Sequence, residues 1–450
     1  MNYKSSLFLL FLSATGAFAA TRDFEGVNLQ DEGLLLGELI VKKLEEYRKD
    51  KEYLSDIDLY FGGQLHFTTL FINQDQKRST DDNAVSSLQG DIELRCLKRY
   101  HGNGYGVEVK AKANSGIIKI GYPIMRVAFL FFESDKIGTI RVGYTNTAGD
   151  LFSICGDKFL AGYLGAGSCN FNAFYNNSAG SIIDTGFTYD DSKAAKIVWL
   201  SPLVSGFSAG LSFTFDSRQA NLFKTYRNRA GGIHERANLS GLKANYSKNV
   251  ITGGLSYEFG SPDDFNAKFS IAGWFGNGEP AINGAKNMKV HNVRAYNVGA
   301  AMGYKKIRIS FGYTDNGKSL INENYAAGDS GAFDENACYS FDDRNVGLSP
   351  GADAGKIYSA GIAYSLGKTE ISAGYFCSTV KFSDSEKSKA NIVTLAVEHK
   401  FDRFLKVYVE YDRINTDSCD RARILGKSSG LSPTGKNAAN MFMIGSKINF

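Results

Sequence analysis

The chain has 450 residues, 51 Lys and Arg against 47 Asp and Glu, and a formal net charge of +4 at pH 7. This balance excludes a polyacidic or polybasic protein and gives no electrostatic reason to expect nucleic acid as a partner. The apolar share of 43%, with 49 Gly and only 6 Pro, excludes a disordered chain and favours long strands joined by turns.

The first 19 residues have the organisation of a secretory signal peptide. Lys4 precedes an apolar run over residues 7–12, and Ala17 and Ala19 form an A-x-A cleavage site. We predict cleavage after Ala19 and therefore export of the protein. No later stretch reaches about 18 consecutive apolar residues, so no transmembrane helix is predicted.

Residues 20–57 are predicted to form an N-terminal periplasmic extension that contains one short amphipathic helix. Leu36, Leu39, Ile40 and Leu44 form an apolar stripe at helical spacing, and charged residues occupy the other faces. Three interpretations of this helix stay open: it packs on the main domain, it begins a coiled coil, or it plugs a pore.

From Asp58 to Phe450 the hydrophobic period changes to two, which is typical of β-strands. In residues 207–215, for example, Phe207, Leu211 and Phe213 alternate with polar residues. Strands of about 9 to 15 residues, charges on the polar face, and alternation of long and short connections favour a membrane β-barrel over a soluble sandwich. The sequence therefore predicts an all-β fold, a transmembrane antiparallel β-barrel over residues 58–450.

The number of strands follows from the connections. Tight turns are predicted near Gly102, Lys136, Pro202, Pro262, Lys305–Lys306, Gly367–Lys368 and Asp402–Arg403, and long connections at 147–192, 216 onward, 276–290, 316–354 and 414–438. A bacterial single-chain barrel closes with an even number of strands. Sixteen strands result if residues 239–247 belong mostly to a loop, and eighteen is the alternative. A barrel of this size is too wide for side chains to fill, which predicts a water-filled lumen.

The sequence does not support an enzyme, a metal site or a cofactor. Residues 206–210 match the G-x-S-x-G pattern of hydrolases, but the alternation continues through Ser208 and no helix follows. The five His residues are scattered along the chain. The six Cys permit disulfides in an exported protein, but their pairing is left open.

Charges on the polar faces predict a constriction inside the barrel. The second to fifth strands carry Glu93 and Glu108 together with five cations, which are Arg95, Lys110, Lys112, Arg126 and Arg141. The connection at 147–192 is predicted to fold into the lumen and to face these cations with Asp150, Asp157 and Asp184. Opposed rows of fixed charge are a device by which pores filter ions. The alternative is a solvated inner wall without a special constriction.

Three segments resemble the general porin family of Gram-negative outer membranes. They are Ser201-Pro202 followed by residues 206–213, the strand at residues 137–143, and the C-terminal Phe450. The resemblance implies a sixteen-stranded homotrimer embedded in outer-membrane lipid, which lets small hydrophilic solutes and ions diffuse passively and has its third loop in the lumen. It also implies that Phe450 is read by the barrel-assembly machinery. The chain departs from the family in Tyr144, where many members have arginine, and in the long segment 20–57.

Three functions are therefore kept. The first is a general diffusion porin. The second is a substrate-specific porin, for instance for sugars, with aromatic residues such as Phe159 and Tyr163 in the third loop as a contact surface. The third is a structural or adhesive surface barrel that binds partners through its long loops.

Overall fold

The structure is a closed barrel of sixteen antiparallel strands. The computed structural model describes residues 57–75, 84–100, 102–115, 124–163, 194–217, 246–261, 264–279, 290–320, 353–381, 387–417 and 436–450. The strands are β1 Ile57–Gln74, β2 Ala84–Tyr100, β3 Asn103–Ser115, β4 Ile124–Ser134, β5 Gly138–Tyr144, β6 Ala195–Leu200, β7 Phe207–Asp216, β8 Tyr246–Gly260, β9 Phe265–Glu279, β10 Val293–Tyr304, β11 Ile307–Asp315, β12 Lys356–Leu366, β13 Thr369–Lys381, β14 Lys387–Lys400, β15 Leu405–Asp417 and β16 Lys436–Asn449. Between β5 and β6 lie a short helix, α1 Ala148–Phe152, and a 3₁₀ helix, Gly156–Phe159.

The prediction of sixteen strands is confirmed, and the alternative of eighteen is wrong. Each strand pairs with its neighbours in sequence, and β1 pairs with β16 to close the sheet. Strand β8 begins at Tyr246, and residues 239–245 lie outside the described part of the chain. The predicted signal peptide at 1–19 and the N-terminal helix lie outside the described residues.

Short and long connections alternate around the barrel. The predicted turns at Lys305–Lys306 and Gly367–Lys368 each join two strands directly. Gly367 has a φ of 63°, a left-handed conformation that glycine adopts without the steric cost of a Cβ atom. At the opposite end, the β11–β12 connection runs from residue 316 to residue 355. In membrane barrels short turns face the periplasm and long loops face outward, which orients the molecule.

The outer face of the barrel is apolar, and aromatic residues lie on it near the long-loop end and near the short-turn end. Exposed aromatic residues near the long loops include Tyr296 and Tyr358, and those near the short turns include Tyr257, Phe265, Tyr304, Tyr364 and Phe401. Such girdles flank the apolar band of outer-membrane barrels. Within the described ranges, no helix is long and apolar enough to cross a membrane.

The seam between the first and last strands ends at the C-terminal residue. Gly63 N donates to Phe450 O at 3.0 Å, and Phe450 N donates to Gly63 O at 3.1 Å. The ring of Phe450 lies beside Phe61, with 6.2 Å between centroids. A Cβ atom on Gly63 would overlap the carbonyl oxygen of Asp91 and this ring. The seam therefore requires glycine at position 63.

We predict that Gly63→Ala destabilises the barrel, because the added methyl group has no space in the seam. Overpacking of this kind lowers the free energy of unfolding by ~1–3 kcal/mol. The measurement is the temperature at which the protein loses its folded electrophoretic mobility. Gly253→Ala in β8 is the matched control, since the nearest atom to its added Cβ would lie 3.5 Å away. Equal unfolding temperatures for the two variants would contradict the packing argument.

Candidate pore constriction

The connection after β5 begins with a capped helix. Thr147 is the N-cap of α1: its hydroxyl accepts from Asp150 N at 3.0 Å, and Thr147 N donates to Asp150 Oδ2 at 3.2 Å. This reciprocal pair is a capping box, which satisfies amides that have no partner within the helix. One of the predicted acids, Asp150, therefore also fixes the start of α1.

Helix α1 is bound to the barrel wall by its own free amides. Ala148 N donates to Ser212 Oγ at 3.1 Å, and Gly149 N donates to Thr252 Oγ1 at 3.0 Å. Gly149 lies so close to the buried indole of Trp274 that a Cβ atom would overlap it. Hydroxyl groups on β7 and β8 thus act as acceptors for the N-terminal turn of the helix.

The chain beyond α1 finds side-chain partners on successive strands. Its contacts are Ile154 N to Asn297 Oδ1 at 3.2 Å (β10), Ser310 Oγ to Gly156 O at 2.8 Å (β11), Gly156 N to Ser359 Oγ at 2.8 Å (β12), and Ala161 N to Ser372 Oγ at 2.9 Å (β13). Because these bonds follow the strand order, residues 147–163 run around the wall as a belt.

The far end of the described belt is held by charged and aromatic groups. Tyr163 N donates to the buried carboxylate of Glu410 in β15, and Lys447 Nζ in β16 donates to Gly162 O. The Tyr163 ring meets the His66 ring of β1 edge-on, with 4.1 Å between centroids. The belt therefore reaches from β7 to the seam of the barrel.

Side-chain alternation shows on which face the belt lies. Each serine or threonine that binds the belt is adjacent in sequence to an exposed apolar residue. These apolar residues are Leu211, Ile251, Phe311, Tyr358 and Ile371. Successive side chains of a strand point to opposite faces, and exposed apolar side chains form the lipid face of a membrane barrel. Residues 147–163 therefore lie in the lumen, while residues 164–193 of the same connection are outside the described part of the chain.

Across the lumen, two of the predicted cations stack on phenylalanine rings. The Arg95 guanidinium of β2 lies 4.7 Å from the ring centroid of Phe131, and that of Arg141 in β5 lies 5.1 Å from the centroid of Phe129. Both rings belong to β4 and pack with Leu97 in a buried cluster. These contacts hold the guanidinium groups against the wall.

Acids accompany the cations on the same face. Arg95 forms an ion pair with Glu133, and Lys110 Nζ lies 3.0 Å from Glu93 Oε2 and 3.2 Å from Glu108 Oε1. Sequence reasoning did not include Glu133, although its alternation with Phe129 and Phe131 places it on this face. The lumen wall of β2–β5 is therefore a mixed cluster of cations and acids, not a row of cations alone.

Arg141 differs from the other two cations. Among the described residues it forms no ion pair within 4.0 Å, and its Nε has no hydrogen-bond partner. The Phe129 ring lies against its guanidinium group. Of the three cations whose side chains the structure describes, Arg141 is therefore the one without a direct ion pair.

The structure describes less of the remaining predicted site residues. Asp157 lies in the first turn of the 3₁₀ helix within the lumen. Only the backbones of Lys112 in β3 and Arg126 in β4 are described. Lys110 pairs with Val127 and Ala111 with Met125, so Arg126 is the extra residue of a β-bulge, where simple alternation does not assign a face. Asp184 lies outside the described residues.

The described residues contain no group of three or more His, Cys, Asp or Glu side chains that could hold a metal ion. The molecule is a wide barrel in which a belt of backbone follows part of the lumen wall, while strands β2–β5 carry fixed charges of both signs. Such an arrangement can sort solutes by size and charge.

Comparisons with known proteins agree with this geometry. A family model described as Gram-negative porin matches residues 54–418. An uncharacterized protein of Rickettsia bellii is 25% identical over 368 residues, which cover 71% of this chain and 75% of that protein. Another, RP068 of Rickettsia prowazekii, is 25% identical over 355 residues, with 72% and 71% covered.

Two solved structures share the fold at low identity. An anion-selective porin from Comamonas acidovorans has a TM-score of 0.55 and 14% identity, with 88% of this chain and 100% of that chain covered. A loop-deletion mutant of OmpT, an outer membrane protein of Vibrio cholerae, has a TM-score of 0.50 and 13% identity, with the same shares covered. At such identities the likeness concerns the fold alone.

We predict that Ser212→Ala combined with Thr252→Ala loosens the belt. The substitutions leave the buried amides of Ala148 and Gly149 without acceptors, at a cost of ~1–3 kcal/mol for each. The expected result is larger current fluctuation in single-channel recordings, since the belt then moves within the lumen.

The matched control is Ser208→Ala combined with Ser256→Ala on the same two strands. These hydroxyls bond to each other at 2.7 Å. Current noise that rises equally in both double variants would contradict the role given to the α1 contacts.

Proposed function

Because the chain belongs to the Gram-negative porin family, we propose that it forms an outer-membrane channel for passive diffusion of small hydrophilic solutes and ions. The observation that carries the proposal is the belt of residues 147–163, which is bound to the lumen face from β7 to the seam. A sixteen-stranded barrel leaves an aqueous interior. A belt bound along one side narrows this interior without filling it.

We assign the constriction to two sets of residues. One wall carries Arg95, Lys110, Lys112, Arg126 and Arg141, and the loop carries Asp150, Asp157 and Asp184. Fixed charges at a narrow point select ions by their sign. The acids beside Arg95 and Lys110 cancel part of the positive field, so we expect weak ion selectivity that depends mainly on Arg141.

The structural neighbour from Comamonas acidovorans is described as anion-selective. An unpaired cationic wall would give this chain the same preference. The ion pairs of Arg95 with Glu133 and of Lys110 with Glu93 and Glu108 support a weaker preference here.

The proposal extends to export and assembly. Residues 1–19 act as a signal peptide, the mature chain begins at Ala20, and three copies assemble in outer-membrane lipid. The C-terminal Phe450, whose backbone completes the seam with Gly63, is the residue offered to the barrel-assembly machinery.

A sugar-specific channel receives less support than general diffusion. Such a channel needs aromatic faces that are open to the solute. The Phe159 ring lies against the Arg308 guanidinium, 5.3 Å from ring centroid to Cζ, and the Tyr163 ring packs on His66. These rings are used to fix the belt to the wall.

We predict that Arg141→Glu lowers the ratio of anion to cation permeability by roughly threefold at ~0.1 M salt, where charges act over about 10 Å. The reason is the reversal of a charge on the lumen wall that has no direct ion pair among the described residues. The measurement is the reversal potential of a planar bilayer under a salt gradient.

Arg99→Glu provides the matched control, because it makes the same charge change in β2 at an exposed site near the short-turn end. Its reversal potential should equal that of the wild type. If the two variants shift the potential equally, the assignment of Arg141 to the constriction is wrong.

We also predict that Ala19→Arg blocks maturation, since the cleavage site requires small residues. The wild-type protein isolated from membranes should start at Ala20, and the variant should retain residues 1–19. Intact mass and N-terminal sequencing measure both. An unprocessed wild-type protein would contradict the signal-peptide assignment.

A further inference from the structure

Three cations from separate segments lie in the lumen near β9–β11. Lys158 is an exposed residue of the 3₁₀ helix in the belt. Lys268 in β9 and Arg308 in β11 stand next to Phe269 and Ile307, which are exposed on the outer face. Because successive side chains of a strand point to opposite faces, both cations point into the lumen. We call Lys158, Lys268 and Arg308 the belt-side cations.

Small residues of β10 lie between the two strand cations. Lys268 pairs with Ala301, and Arg308 pairs with Gly303 two residues further along β10. The Asn266 side-chain amide covers Gly303, since both of its polar atoms lie 2.9 Å from the place that a Cβ atom on this glycine would take. The strand between the two cations therefore carries no long side chain, and an amide group lies at the short-turn edge.

The belt brings Lys158 to this part of the wall. Ser310 Oγ donates to Gly156 O at 2.8 Å, which binds the 3₁₀ helix to β11. At the end of the same helix, the Phe159 ring lies against the Arg308 guanidinium, with 5.3 Å between ring centroid and Cζ. These two contacts fix the residues on both sides of Lys158, so its side chain starts beside the strand cations.

The acids of this region leave Lys158 without an ion pair. Lys268 Nζ lies 3.4 Å from Glu258 Oε2, and Arg308 forms an ion pair with Glu370. Lys158 interacts electrostatically with Lys268 and with Glu258, but among the described residues no carboxylate lies within 4.0 Å of its ammonium group. Repulsion between the two lysines is unfavourable, so an anion near Lys158 would be bound favourably.

A buried hydroxyl group on the same face has no partner. Ser270 lies two residues from Lys268 along β9 and is only 6% exposed. Its Oγ makes no hydrogen bond within the described ranges. The serine that faces it on β8, Ser256, is bonded to Ser208 instead, at 2.7 Å. A buried hydroxyl without a partner costs free energy, which an oxygen atom of a ligand would recover.

We propose that the belt-side cations bind the phosphate group of a small solute, with Ser270 as an additional donor. A phosphate monoester carries about 1.5 to 2 negative charges at pH 7 and three strong acceptor oxygens. These oxygens point in different directions, as do donors that come from the belt, β9 and β11. A monocarboxylate has one charge and two oxygens in one plane, so it meets fewer of these donors.

The proposal rests on the channel function and narrows its substrate class to small phosphorylated solutes. The solute reaches the site through the lumen, where the belt already restricts its path. Conduction requires that such a site bind well enough to attract the solute and weakly enough to release it. We therefore expect saturable, reversible binding and not a permanently occupied site.

The first test is isothermal titration calorimetry of the full-length protein in detergent with glycerol phosphate at about pH 7.5, where the monoester is largely a dianion. Glycerol is the uncharged counterpart, and lactate is the monocarboxylate. We expect saturable binding of glycerol phosphate, weaker binding of lactate and none of glycerol. Lys158→Gln should lower the affinity for glycerol phosphate roughly tenfold, because it removes one charge-assisted hydrogen bond.

Ser270→Ala separates ligand binding from packing. Since its hydroxyl has no partner among the described residues, the substitution should not lower the unfolding temperature. It should nevertheless lower the affinity for glycerol phosphate several-fold. The matched control is Lys306→Gln, which removes an exposed lysine from the β10–β11 turn and should bind glycerol phosphate as the wild type does.

The second test is the chloride current through the protein in planar bilayers. Glycerol phosphate should reduce the wild-type current saturably, and Lys158→Gln should require a roughly tenfold higher concentration for the same reduction. A wild type that conducts no chloride contradicts the channel function, whereas the calorimetry still reports on the site.

Three results would overturn the phosphate site. They are absence of glycerol phosphate binding to the folded wild type, equal affinity of the wild type and Lys158→Gln, and an equal loss of affinity in Lys306→Gln. Equal affinity for lactate and glycerol phosphate would contradict the assignment of the site to phosphate.

Discussion

The structure depends on one constraint, which is that hydrocarbon offers no hydrogen-bond partner to a backbone amide or carbonyl group. A sheet meets this constraint only by closing on itself, and closure requires β1 and β16 to pair along residues 64–74 and 439–449. The terminal Phe450 extends this pairing to Gly63. The apolar outer face and the aromatic girdles have the same cause, since the side chains on the outer face must be compatible with lipid and with its boundary to water.

A related requirement applies inside the lumen, where the belt is built from backbone that has left the sheet and buries amides against the wall. Its amides require acceptors that the strands no longer provide, and the wall offers them as Ser212, Thr252, Ser359 and Ser372. Small residues let the belt approach closely, as at Gly254, where Phe152 occupies the space of a side chain. Small and polar residues on the lumen face of β7–β13 therefore hold the belt in place, in addition to facing the water of the lumen.

The fold could be predicted because its two determinants are local in sequence. Period-two alternation identifies strands, and turns such as Gly367–Lys368 identify the short connections. Because short and long connections alternate and the barrel closes with an even number of strands, these features give sixteen strands. The site was less predictable because it depends on contacts between distant residues. The pairing of Arg95 with Glu133 requires the register of three strands, and the bulge at Arg126 breaks the alternation on which its placement rested. No pattern in residues 147–163 indicates which hydroxyl of the wall each amide binds, since those partners come from residues up to 211 positions away.

The central claim, an open lumen narrowed by the belt, is tested most directly by swelling of liposomes that contain the purified, folded protein. Uncharged solutes of increasing size separate passage through a constriction from the effects of charge. The account predicts rapid swelling with the smallest sugars and a steep fall in rate as solute size increases. Absence of swelling with every solute, from protein that retains its folded electrophoretic mobility, would contradict it, because the lumen would then be closed.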